Sequence, residues 1–240
     1  MKLFQKGFNY SQDGPGNRLV YHLKGCNMCC PWCSNPEGMH ITCGEYVTAS
    51  PQEIVEEAVS SKPMFFDGGG VTFTGGEATL QAQELVQVLE GLKERGIHTA
   101  IETNGTYARL SDLFGLFDYL IIDFKHPCDA KHHQMTGVHN AVIKENIRLA
   151  SKSGKDLLIR IPLINGFNND NESLQGFLEF FGSLDHSHTA VEILKYHEYG
   201  KDKWAKCGLD YQMTDAFVSE DDRCRFEKEI QKLGLPIIRT

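Results

Sequence analysis

From residue 17 onward the chain alternates two hydrophobic patterns. Short runs rich in β-branched and large apolar residues read as strands: "RLVYHLKG" (18–25), "VTFT" (71–74), "IHTAIET" (97–103), "YLIIDFK" (119–125), "DLLIRIPLI" (156–164) and "AVEILKY" (190–196). Between them lie segments whose apolar residues recur three and four apart, the spacing of an amphipathic helix: "SPQEIVEEAVSSK" (50–62), "QAQELVQVLEGLKERG" (81–96), "AVIKENIRLASKSG" (141–154), "SLQGFLEFFGSL" (173–184) and "DRCRFEKEIQKLG" (222–234), the last followed by "LPIIR". The first of these starts on a capping box, with Ser50 as N-cap, Pro51 at the first helical position and Glu53 as the returning side chain. Gly96 and Gly154 close two others. The unbroken apolar run in "YLIID" predicts a strand covered on both faces.

About six βα units follow one another without a linker, repeat or low-complexity stretch. They predict an α/β fold on a mostly parallel sheet, a partial (β/α)6 TIM-like barrel formed as one domain over residues 1–240. Ligands of such sheets bind beyond the carboxyl ends of the strands. The segments there are the cysteine cluster at 26–33, "GGE", "ETNG", "DFKH", "PLING" and "YHEYG", all dense in polar residues and glycine.

Composition narrows the setting. Apolar residues make up 41% and charged residues 23%, ordinary for a globular protein, and no run approaches the roughly 18–20 apolar residues that span a bilayer. "MKLFQKGFNY" lacks the apolar core of a signal peptide, so the expected location is the cytoplasm. With 32 acidic against 24 basic residues, a net charge of −8 and no Lys/Arg cluster, neither nucleic acid nor membrane is expected as a partner. A monomer is the expected state.

Four of the eight cysteines fall in "GCNMCCPWCSNPE" (25–37). In a reducing compartment such clustering points to metal or redox chemistry, while Cys43, Cys128, Cys207 and Cys224 are scattered and read as separate thiols. Two fused CxxC pairs could suggest zinc, but structural zinc sites separate their pairs by a dozen or so residues, and adjacent Cys29 and Cys30 point apart. The other parse, C-x3-C-x2-C, uses Cys26, Cys30 and Cys33. Three thiolates hold three irons of a 4Fe-4S cluster and leave the fourth open to a ligand.

At this point the sequence resembles the radical S-adenosylmethionine superfamily, and within it the activating enzymes of glycyl radical enzymes, of the pyruvate formate-lyase type. The resemblance runs nearly end to end through "DGPGNR" (13–18), the cysteine segment, "GGGVTFTGGEATLQ" (68–81), "GIHTAIETNG" (96–105), "YLIIDFK", "LLIRIPLINGFNND" (157–170) and "YHEYGKDKW" (196–204). It implies that Cys26, Cys30 and Cys33 hold one 4Fe-4S cluster per chain. It also implies that Gly75, Gly76 and Glu77 line the methionine moiety of S-adenosylmethionine, with Thr103, Lys125, Arg160 and His197 completing the pocket. Trp32 fits either a core aromatic or a cover over cluster and adenine. Glu102, Thr103 and Asp123 resemble positions that hold a monovalent cation, Na+ or K+, with the longer Glu102 where an Asp is expected. Asp13, otherwise an Asx-turn residue, would contact the partner's glycine loop.

The implied reaction is radical. The reduced cluster gives one electron to S-adenosylmethionine, and the 5′-deoxyadenosyl radical takes a hydrogen from a glycine of a large partner enzyme, with Asp13, Lys125 and Arg160 as the residues closest to that chemistry. Only Cys43 follows before the Ser50 helix, so no second cluster is expected and flavodoxin or ferredoxin must supply the electron, in an anaerobic setting. The first alternative keeps the cofactor but acts on a small molecule such as a deazapurine precursor. The second is a non-enzymatic cluster or zinc module with a closed site.

Overall fold

The computed structural model describes residues 1–40 and 43–240. Its strands are β1 (Lys2–Tyr10), β2 (Asn17–Leu23), β3 (Val47–Thr48), β4 (Gly70–Gly75), β5 (Thr99–Thr103), β6 (Tyr119–Asp123), β7 (Asp156–Leu163), β8 (Thr189–Lys195) and β9 (Ile237–Ile238). Its α-helices are α1 (Pro51–Ser60), α2 (Ala82–Glu94), α3 (Asp129–Thr136), α4 (Ala141–Ser151), α5 (Asn171–Phe181), α6 (Lys201–Lys206) and α7 (Glu220–Gln231). One sheet runs in the order β3-β1-β2-β4-β5-β6-β7-β8-β9, and its two end strands do not meet. β1 pairs antiparallel with β2 and β3, and every pairing from β2 to β9 is parallel. The mostly parallel partial barrel expected from the pattern is the architecture observed. No described helix is long and apolar enough to cross a membrane.

The local signals behave as their chemistry requires. Ser50 caps α1 by accepting from Glu53 N, and Glu53 Oε2 accepts from Ser50 N at 2.7 Å, closing the capping box. The side chains of Asp170 and Ser219 cap α5 and α7 by accepting from Ser173 N and Asp222 N. Gly137 ends α3 in the left-handed region, at φ 84°.

Side chains alternate across each strand, and here the two faces differ in character. On the outer face Leu19, Tyr21, Leu23, Val71, Phe73, Ile101, Ile122, Ile159 and Val191 join the apolar stripes of the helices in one buried cluster. On the inner face the alternate positions carry Arg18, His22, Thr72, Thr74, Glu102, Asp123, Arg160 and Glu192. Apolar burial therefore stabilises the sheet from outside, while its concave interior is polar and suited to a ligand.

One cysteine reading is corrected. Cys43 and Cys207 are bonded to each other, with a Cα–Cα distance of 5.3 Å across a separation of 164 residues. The chain leaving the cysteine segment packs against the end of α6, a proximity that no sequence spacing announces. In buffer without reductant, Cys43→Ser is expected to lose roughly 2–4 kcal/mol of stability. In dithiothreitol the variant and the wild type should melt together, and equal midpoints in both buffers would contradict the bond.

His126 gives a pH dependence. It is buried at 1% exposure, with Nε2 near Phe167 O (3.1 Å) and Ser173 Oγ (3.2 Å) and Nδ1 accepting from Cys128 N (2.9 Å). Burial, helped by the charge of Lys131, pushes its pKa down to about 4. The unfolded chain thus binds a proton between about pH 6.5 and 4 that the native state refuses, so stability present above 6.5 is lost as pH falls through that window. His126→Gln should flatten the fall in melting temperature between pH 6.5 and 4.

Candidate functional site

A cleft of about 260 Å³ opens at the carboxyl ends of the parallel strands and reaches down to the loop joining β1 to β2. Its lining includes Asp13, Cys26, Cys30, Trp32, Cys33, Gly75, Gly76, Glu102, Thr103, Asp123, Lys125 and His197. Most of the residues singled out in the sequence therefore meet in one place. Glu77 and Arg160 are the exceptions.

The cysteine segment leaves β2 and is held by neighbouring backbone. Cys26 N donates to Met39 O (3.0 Å), and Gly76 N and Glu77 N donate to Leu23 O (2.8 Å) and Gly25 O (2.7 Å). A Cβ on Gly75 would lie 2.2 Å from Leu23 N, and one on Gly76 would lie 2.1 Å from Gly25 O. Both glycines are thus needed so that the end of β4 can touch the chain entering the cysteines, besides any room they leave for a ligand.

Cys26, Cys30 and Cys33 line the cleft, whereas Cys29 is exposed, with its amide donating to Thr136 O (3.0 Å) and its sulfur against the end of α3. Main-chain amides approach two of the sulfurs, Met28 N to Cys26 Sγ and Asn35 N to Cys33 Sγ, both at 3.4 Å. Burial pushes the Cys26 thiol up to about 12 and raises Cys30 and Cys33 as well, while Lys125 opposes all three shifts. Three soft donors with amide hydrogens and a cation directed at them fit a 4Fe-4S cluster. Among the described residues no three His, Cys, Asp or Glu side chains converge on one point as a single ion would require. Thiolates that each hold a different iron need not do so.

Two buried charge systems flank the cleft. Lys125 Nζ donates to Asp123 at 2.6 Å. Burial alone would lower the Lys125 pKa, but Asp123 and the nearby thiols more than offset it and hold the ammonium charged. Beneath it, Arg160 binds Glu192 through Nε (2.7 Å), Glu102 through Nη1 (2.8 Å) and Gln12 O through Nη2. Its guanidinium is taken up by protein partners and does not line the cleft, where the resemblance placed it among the pocket residues. Burial, with Asp13 and Asp123 adding to it, raises the Glu102 pKa against the pull of Arg160. Glu102 and Asp123, the carboxylates expected to share a monovalent cation, are each paired with a cation of the protein itself.

Glu77 also departs from expectation. Its carboxylate turns away from the cleft and accepts from Thr79 N (2.9 Å), Thr103 Oγ1 (2.7 Å) and Asn104 N (2.7 Å), locking the end of β5 to the turn after β4. Trp32 lines the cleft and also packs on Phe167, with ring centroids 4.8 Å apart. His197 sits at the rim, its ring stacked on Tyr199 at 4.2 Å. Asp13 closes the lower end; its carboxylate accepts from Asn9 Nδ2 (2.5 Å) and its carbonyl from Thr72 Oγ1 (2.7 Å).

Four supports had no assigned role in the sequence. Asn104 bridges Asn27 (2.8 Å) and reaches Cys26 Sγ (3.9 Å). From α6, Trp204 Nε1 donates to Cys33 O (2.9 Å) and Lys203 pairs with Glu37 (2.9 Å). Gly200 lets that helix approach, since a Cβ there would lie 2.6 Å from Cys33 O. All lie inside the "ETNG" and "YHEYGKDKW" segments, where the only signal was the density of polar residues.

The model of the Radical SAM superfamily matches residues 20–178. Among curated proteins, the chain is 32% identical to the pyruvate formate-lyase-activating enzyme of Clostridium pasteurianum, over 92% of this chain and 93% of that one. It is 28% identical to the choline trimethylamine-lyase activating enzyme of Oleidesulfovibrio alaskensis, over 94% and 93%. Among solved structures it resembles a radical SAM methyltransferase from Sphaerobacter thermophilus, with a TM-score of 0.67 and 13% identity over 99% of this chain and 75% of that one, a likeness of fold alone.

Proposed function

We propose that this chain, which belongs to the radical SAM superfamily and within it to the pyruvate formate-lyase-activating type, generates a glycyl radical on a partner enzyme. The observation that supports this best is the convergence of Cys26, Cys30 and Cys33 on one cleft with Gly75, Gly76, Lys125 and His197, and with Asp13 at its far end. When bound, a 4Fe-4S cluster supplies the electron that splits S-adenosylmethionine into methionine and a 5′-deoxyadenosyl radical, which takes a hydrogen from a glycine α-carbon.

The protein's own part is to hold and orient. Cys26, Cys30 and Cys33 would hold the cluster, which would bind and reduce S-adenosylmethionine there. Lys125 presents a buried positive charge to the carboxylate of S-adenosylmethionine, while His197 and Trp32 close over the adenosine end and keep water from the reacting atoms. Arg160 fixes Glu102 and the Gln12–Asp13 backbone, so that Asp13 meets the glycine loop from below. Arg160 and Lys125 supply the charge that Glu102 and Asp123 need, with no step left to a separate monovalent cation. Flavodoxin or ferredoxin delivers the electron to a monomeric, cytoplasmic activase in an anaerobic cell.

Anaerobically reconstituted, reduced protein mixed with S-adenosylmethionine should release methionine and 5′-deoxyadenosine in equal amounts. A cluster whose spectrum does not respond to S-adenosylmethionine, with neither product formed, would overturn this function in favour of a closed electron-transfer site.

A further inference from the structure

Directly after β5, the side chain of Asn104 is buried at 6% exposure and held at both ends. Its Oδ1 accepts from Thr106 N (3.1 Å) and Thr106 Oγ1 (2.7 Å), while its main-chain N donates to Glu77 Oε2 (2.7 Å). Which end of a side-chain amide is oxygen follows from its partners, and two donors on one end settle it. The NH2 group is therefore the end turned to the cysteine segment. It donates to Asn27 Oδ1 (2.8 Å), and its second hydrogen is left for Cys26 Sγ (3.9 Å).

The three sulfurs of the cleft differ in what reaches them. Cys26 Sγ also receives Met28 N (3.4 Å), so two N–H groups approach it, while Cys33 Sγ receives Asn35 N alone (3.4 Å). No hydrogen bond reaches Cys30 Sγ among the described residues, and Asn104 is the one side chain among them that donates to any of the three. The Met28 and Asn35 amides belong to the cysteine segment itself. Asn104 comes from another strand, anchored by Glu77 from the turn after β4, so its donor is placed independently of how that segment folds.

Donors aimed at the sulfurs of an iron–sulfur cluster stabilise its more negative, reduced state and raise its reduction potential. At 3.9 Å the contact is long, but the amide dipole is buried and fixed in direction, so its field acts on the sulfur at close to full strength. We infer that Asn104 is a positioning residue for electron entry: by directing its NH2 group at Cys26 Sγ it raises the reduction potential of the cluster held by Cys26, Cys30 and Cys33. This inference rests on the cluster assigned under the function proposed above. It gives the buried asparagine of "ETNG" a task beyond bracing the loop, since an apolar side chain of the same size would fill the space without easing the reduction.

The test is an anaerobic redox titration of the reconstituted cluster, read by electron paramagnetic resonance in the absence of S-adenosylmethionine. Asn104→Leu should make one-electron reduction about tenfold less favourable, a midpoint about 59 mV more negative than wild type. Asn104→Asp keeps the oxygen that accepts from Thr106 and replaces the donor alone, and at pH 8 it should lower the midpoint at least as far. Should Asn104→Leu not take up iron, Asn104→Asp carries the comparison. Wild-type midpoints in the variants at full iron content overturn the inference, and so does loss of the cluster from both, which would make Asn104 a structural support. A wild-type protein that binds its cluster but forms no 5′-deoxyadenosine overturns the proposed function instead. One that takes up no cluster removes the cluster assignment, and the role of Asn104 falls with it.

Discussion

Cys30→Ala is expected to reduce the formation of 5′-deoxyadenosine from S-adenosylmethionine by at least ~10³-fold, equivalent to about 4 kcal/mol of barrier. Cys30 is 7% exposed and lies between Cys26 and Cys33 in a loop with no fourth cysteine lining the cleft. Cys29, its neighbour in sequence, faces the end of α3 and cannot replace it without unmaking the Cys29 N to Thr136 O bond. Cys29→Ala should therefore keep about four irons per chain after reconstitution and remain active. Iron content and product yield measured on both variants separate the two parses of the cysteine segment. Loss of the cluster in Cys29→Ala with retention in Cys30→Ala would reverse the ligand assignment.

Arg160→Met should cost roughly 3–5 kcal/mol, a drop of about 10 °C in melting temperature for a chain of this length. The penalty comes from the partners left behind. Glu192 is 1% exposed, and although it also accepts from Thr240 N (3.0 Å) and Thr240 Oγ1 (2.6 Å), it would lose its only side-chain cation among the described residues. Glu102 would lose the one group that lowers its pKa by charge and would rise further above the ordinary carboxylate range. A carboxyl with its native pKa raised contributes stability that is present below the unfolded value and lost as pH rises through the native one. The deficit of Arg160→Met should thus be larger at pH 8 than at pH 5. Adding Glu192→Gln should restore part of it, and a melt that is unchanged at every pH would mean that Arg160 is not structural.

The parts of this protein that were legible in its sequence are those encoded over short distances. The parallel strands carry dense β-branched runs and the main helices carry apolar stripes and caps, so their placement follows from periodicity and from Ser50, Gly96 and Gly154. β1 escaped because five of its nine residues are exposed or nearly so and its register is set by β2, with an irregularity between Leu3 and Gln5. α3, "DAKHHQMT", has no apolar stripe and is defined by its glycine end. In the site, the C-x3-C-x2-C parse needed only eight consecutive residues. The Arg160 network joins Glu102, Arg160 and Glu192 across 58 and 32 residues, and which way Glu77 turns depends on Thr103 and Asn104 from another strand. Such pairings exist only once the sheet has formed.

The ends of the sheet, β3 and β9, are two residues long each and do not pair, so the curved wall is not hydrogen-bonded into a ring, although α6 bridges its two sides beside the cysteine segment. Short edges of this kind resist adding strands from other molecules. A ring of strands admits only what can pass through its mouth, such as a free chain end or a small molecule. A wall whose edge strands are unpaired can admit a bend of polypeptide sideways where α6 does not cover it, while both ends of the bend stay anchored in the protein to which it belongs. For a substrate that is an interior residue of a folded enzyme, that is the difference between an accessible reaction and a topologically barred one.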